Sequence, residues 1–146
     1  MLGQLKEIHD QVRGVVAELA GILAETKPDL QALARTRMKL TKLTGKWRTL
    51  IQCTILPELS HVGPDQARQL AELRREAAAF AVKKSNHITR WSSRATEADV
   101  AGYRRASADM RRSLLSRVDL EAGILYPLLG TKATTRAQPA EVSPPA

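Results

Sequence analysis

Apolar side chains recur along most of this chain at alternating steps of three and four residues, the spacing that gathers them on one face of an α-helix. Leu2, Leu5, Ile8, Val12, Val15, Val16, Leu19, Ile22 and Leu23 keep that rule and predict a first helix over residues 2–25, with His9 on the same stripe. Thr26 to Asp29 breaks the pattern, and Pro28 suits the first turn of a second helix expected to run to Leu59. Its inward side reads Leu33, Leu40, Leu43, Trp47, Leu50, Ile51 and Thr54, with Gly45 in the middle.

The stretch SHVGPD at 60–65 supplies the next turn, and a third helix is expected from Pro64 to Trp91. Its seam is Leu70, Leu73, Ala77, Phe80, Lys84, His87 and Trp91; Lys84 and His87 are expected to reach out of the end of the fold and keep their polar tips wet. The polar segment SSRATEAD makes the third connection, with Thr96 or Asp99 as cap of a fourth helix ending near Leu129. Gly130 is expected to stop that helix, and residues 131–146, with three prolines and few apolar side chains, to form a disordered tail. Long helices joined by short connections prefer antiparallel neighbours. The expected fold is therefore all-α, an up-down-up-down four-helix bundle over residues 1–130.

The fourth helix contains the feature that most needs explaining. In RVDLEAGILYPLL, residues 117–129, Arg117 and Glu121 fall on the same stripe as Tyr103, Ser107, Met110, Leu114, Ile124 and Leu128. An unpaired charge in such a seam opposes folding by several kcal/mol, roughly, so each must be answered by a partner. At about 1.5 Å rise per residue, counting from the turns puts His9, Trp47, Ile51, Ala77, Arg117 and Glu121 in one layer of the bundle.

Four motifs in this order, IHxxVR near the start, Leu-Pro-x-Leu closing the second helix, NHITRWSS closing the third and RVDLEAGILYPLL in the fourth, resemble a hemerythrin-like domain of the HHE cation-binding type over residues 4–129. That resemblance implies a bundle whose inward His and carboxylate side chains hold a non-haem di-iron centre. Carried over by position, the first-helix ligand corresponds to His9, the second-helix pair to Trp47 and Ile51, the third-helix ligand to Ala77 or its neighbour, and the fourth-helix pair to Arg117 and Glu121. Only His9 and Glu121 carry usable donors, because Trp47 and Ile51 offer iron none and Arg117 is a permanent cation. The expected cofactor is none, with residual non-haem iron as the alternative. Arg117 is expected to supply positive charge in place of metal, pairing with Glu121 and with Glu76 or Asp10, while Trp47 and Ile51 fill the volume.

Charge and composition narrow the function little. The formal charge of +8 permits attraction to nucleic acid or anionic lipid without demonstrating it, and aromatic residues at 3% argue against a base-stacking platform. No run approaches the roughly 20 apolar residues of a membrane span, and a cytoplasmic location is the default. His61 reads as a loop residue, His87 belongs to a different layer from Ala77, and the single cysteine, Cys53, reads as a buried inert thiol. Three functions remain open: a non-catalytic binding or regulatory module, a residual iron- or oxygen-responsive protein, and an anion-surface binder using Arg35, Lys39, Lys42 and Lys46. A protein partner or homo-oligomer is left open as well.

Overall fold

The structure is a computed structural model that describes residues 1–141, with side chains described to Thr131. Among the described residues it is all-helical, without a strand. Helix α1 spans Leu2–Ala24 and buries Leu5, His9, Val12, Val15, Val16, Leu19 and Leu23, the stripe expected from its spacing. After a short turn Asp29 caps α2, Leu30–Thr49, its carboxylate accepting from the backbone N–H groups of Gln31 and Ala32. Helix α1 packs on α2 and on the last helix, and α4, Pro64–Arg90, packs on that last helix as well.

The second helix does not continue regularly to Leu59. It widens into a π-helical segment, Leu50–Ile55, followed by the single turn α3, Leu56–Glu58. The cause lies in Pro57, which lacks an N–H and whose ring would press on the carbonyl four residues back, that of Cys53. In the wider turn the Leu56 N–H reaches the Ile51 carbonyl instead. The inserted residue turns the side chains that follow, so Ile55 is buried while Cys53 and Thr54 are exposed. Cys53 is thus a surface thiol, which corrects the expectation of a buried one.

Between α4 and the last long helix the polar segment forms a helix of its own, α5, Ser93–Ala98, capped by the Ser92 hydroxyl on the Ala95 N–H. Thr96 is buried and donates to the Trp91 and Ser92 carbonyls, so the cap of the last long helix falls to Asp99, which accepts from the Gly102 N–H at 2.9 Å. Only glycine fits at 102, because a Cβ there would run into the Asp99 carboxylate and the Trp91 ring. Helix α6 spans Val100–Glu141 and passes through Gly130 without stopping. A helical glycine costs only about 1 kcal/mol against alanine, and Gly130 adopts no positive φ. The expected tail therefore begins as helix through Glu141, and residues 142–146 lie outside the described part.

Buried residues form two clusters. The larger one joins Leu5, Val12, Trp47, Ile51, Ile55, Phe80, Val118 and Leu125 with their neighbours, and the smaller one gathers Leu19, Leu23, Leu33, Trp91 and Tyr103. Of the expected α2 seam, Leu33, Leu43, Trp47 and Ile51 are buried, Leu40 and Leu50 partly so. No described helix is long and apolar enough to cross a membrane.

Candidate functional site: a buried ion pair with three donors on one carboxylate

Glu121 is 2% exposed in the larger core, on the face of α6 that meets α1 and α2. Its carboxylate is held from three directions. Oε1 accepts from the Trp47 indole Nε1–H at 2.7 Å and meets His9 Nε2 at 2.8 Å, while Oε2 accepts from Arg117 Nε–H at 3.1 Å, one helical turn earlier on α6. On the far side of the imidazole, Nδ1 lies 2.6 Å from the Tyr126 hydroxyl.

Donor chemistry orders the protons. Trp47 and Arg117 can only donate, so Glu121 accepts, and an ionised carboxylate requires His9 Nε2 to carry its hydrogen. In the Nε2–H tautomer the Tyr126 hydroxyl then donates to Nδ1. Arg117 and Glu121 form the ion pair at the centre of the network. No buried side-chain nitrogen or oxygen among the described residues is left without a partner, the condition under which a buried polar network does not count against folding. Burial of the Tyr126 phenol raises its pKa above the ordinary value, which keeps it a donor through neutral pH.

Ring contacts fix the same groups. The Arg117 guanidinium lies over Trp47 at 4.3 Å from the centroid and beside Phe80 at 5.4 Å, and the Trp47 ring meets His9 edge-on at 5.8 Å. Lys6 sits over Tyr126 at 5.3 Å. Among the described residues Arg117 pairs with Glu121 alone: Asp10 is exposed and engages Arg13, and Glu76 is exposed on α4.

The six residues of the expected layer meet here, four through the network and two beside it. Ile51 and Ala77 line a cavity of about 510 Å³ between the π-helical segment, α4 and α6, whose inner wall includes Arg117 and Glu121. Tyr126 was missed by sequence reasoning. It lies off the Arg117–Glu121 stripe, and its only signal was a phenol in an apolar run before Pro127.

The same geometry tests the donors against a di-iron centre, and they do not fit one. His9 and Glu121 bond each other, both Glu121 oxygens already accept hydrogen bonds, and Trp47, Ile51, Ala77 and Arg117 contribute no ligand atom. Among the described residues no three His, Cys, Asp or Glu side chains converge on one point.

The other candidates sit apart. His61 is exposed in the turn before α4. Arg35, Lys39, Lys42 and Lys46 are exposed along α2, with Lys39 paired to Glu18 at 3.3 Å. Lys84 and His87 do not reach outward as expected. Both are half-buried and face a second cavity, Lys84 donating to the Thr44 hydroxyl at 2.8 Å and His87 tilted against Tyr103 at 5.8 Å. Comparison with family models, with curated proteins and with solved structures returns no match.

Proposed function

We propose that this chain is a hemerythrin-like, up-down-up-down four-helix bundle whose metal-ligand layer has been replaced by a hydrogen-bonded ion pair, and that it works as a non-catalytic binding or regulatory module. The helix contacts of α1 with α2 and α6, and of α4 with α6, support that arrangement. So does the gathering of the ligand-equivalent positions around one carboxylate.

The observation that carries the reading is Glu121 with three donors on its two oxygens. Three of the roughly four acceptor sites of this carboxylate are taken by protein donors, which leaves it little capacity to bridge metal ions or to act as a general base. The Arg117 guanidinium supplies in this layer the positive charge that a metal ion would bring, and Trp47 supplies bulk and a donor.

Expression in iron-supplemented medium followed by elemental analysis tests the reading. It predicts iron far below stoichiometric and no charge-transfer band. Stoichiometric iron with such a band would overturn it.

A further inference from the structure

The second cavity, about 210 Å³, lies between α1, α2, α4 and α6, toward the smaller core cluster and away from the Glu121 centre. Its walls combine apolar side chains from all four helices, Leu19, Leu40, Phe80, Met110 and Leu114, with three permanent or ordinarily permanent cations, Arg37, Lys84 and Arg111. Among the described residues no Asp or Glu lines it. This is an unusual composition for a partly buried space, because none of the three has, among the described residues, a paired carboxylate that would offset its desolvation.

The cations are not equally committed. Both terminal nitrogens of Arg37 are used inside the fold, one on the Thr96 hydroxyl at 3.2 Å and the other on the Trp91 carbonyl at 2.6 Å. These partners are neutral, so they fix the guanidinium without cancelling its charge. Lys84 spends one donor on Thr44, whose own hydroxyl already donates to the Thr41 carbonyl. Arg111 spends only Nε, on the Ser107 carbonyl at 3.3 Å, and among the described residues its terminal nitrogens have no hydrogen-bond partner. Burial lowers the Lys84 pKa, with the charges of Arg48 and Arg117, outside this cavity, adding to it, and burial lowers that of Arg111.

We propose that this cavity binds a small monocarboxylic acid, its carboxylate taken by the open donors of Lys84 and Arg111 and its compact apolar body set against Leu19, Phe80, Met110 and Leu114. A planar carboxylate matches the guanidinium fork, and the ammonium adds a second charge-assisted bond. The apolar walls select against a bare inorganic anion, which would gain the charges but lose its water without replacement. The volume, below the roughly 300–1,000 Å³ of drug-sized sites, sets a small ligand. This gives the binding role proposed above its ligand class and rests on that role alone; it does not depend on the fate of the metal layer.

The test uses the full chain with hexanoate and benzoate as probes, 1-hexanol as the uncharged control and inorganic phosphate as the apolar-free one, all at matched ionic strength. Binding is read by the rise in Tm and by the 13C-methyl signal of Met110, with exposed Met38 as the internal reference. The expected result is a saturable rise in Tm with hexanoate or benzoate, and a shift at Met110 but not Met38. Lys84→Met should weaken that binding about tenfold, the loss of one charge-assisted bond, while the unliganded variant melts no lower than the parent. Equal Tm rises from hexanol, an equal effect from phosphate, or binding unchanged in Lys84→Met would each overturn the proposal. Iron content is unaffected by any of these outcomes, so failure here and failure of the metal-loss reading are separately visible.

Discussion

Replacing Arg117 with methionine removes one of the three donors on Glu121 while keeping an unbranched apolar stem against Trp47 and Phe80. Three contributions set the size of the effect. A hydrogen bond to a charged group is worth about 1.5–3 kcal/mol, and leaving a buried carboxylate short of its counter-ion tends toward the upper end. Loss of the guanidinium over the Trp47 ring removes about 0.5–1 kcal/mol more. Against these, the Arg117 side chain is 13% exposed and borders the larger cavity, so water reaches Oε2 in the variant and part of the penalty is recovered. The net expectation is a loss of about 3 kcal/mol, equivalent for a domain of this size to a Tm lowered by about 6–12 °C. Urea denaturation at neutral pH, fitted with a common slope, measures it. A double-mutant cycle with Glu121→Gln separates the pair from its surroundings and should return a coupling of about 1–3 kcal/mol. A destabilisation under about 0.5 kcal/mol, together with a coupling near zero, would refute the idea that Arg117 neutralises a buried carboxylate.

Other predictions concern single groups. Tyr126→Phe leaves His9 Nδ1 without its hydroxyl partner and should cost about 1–2 kcal/mol in urea denaturation, because an unmet buried acceptor bears its full desolvation; no change would mean that the bond contributes nothing. His87 has its pKa held below the ordinary 6.5, first by burial and then by Arg37 and Lys83, with Asp109 opposing. Below that ordinary value the unfolded chain binds the proton more readily than the fold does, so stability falls as pH drops from about 6.5. Urea midpoints between pH about 7 and 5 should therefore decline less in His87→Gln than in the parent; parallel declines would contradict the assigned burial. The Cys53 thiol should react with an aromatic disulfide reagent in the folded protein nearly as fast as in urea, and strong protection in the fold would contradict its exposed position.

Much of the helical layout was readable because it follows from periodicity and proline placement. The stripe from Leu5 to Leu23 and the Pro64 start of α4 needed nothing beyond the helical repeat and the missing proline N–H. Rise per residue was also enough to bring His9, Trp47, Arg117 and Glu121 to one level, since straight helices joined by short turns leave little freedom along the axis. What the sequence hid were responses of the backbone and of neighbours. Pro57 opens the preceding turn into a π-helix, which exposes Cys53 and Thr54 and buries Ile55, a rotation no regular repeat contains. Lys84 and His87 face inward because Thr44 and Tyr103 on other helices receive them, and such partners are invisible along a single stripe. Gly130 follows the last apolar position of its stripe and so predicts a stop, but a glycine without positive φ imposes none. Tyr126 joined the network from outside its stripe, because a phenol is long enough to reach a neighbouring helix from the flank of its own.

The most direct test of the central claim, that Glu121 is held by protein donors in place of metal, is proton NMR of the folded protein titrated anaerobically with ferrous ion. The account predicts resolved, slowly exchanging signals for the Trp47 indole N–H and the His9 Nε2–H, unchanged in position and width by excess metal. Selective broadening or loss of those two signals at stoichiometric ferrous ion would show that the carboxylate and imidazole are open to metal, and would contradict it.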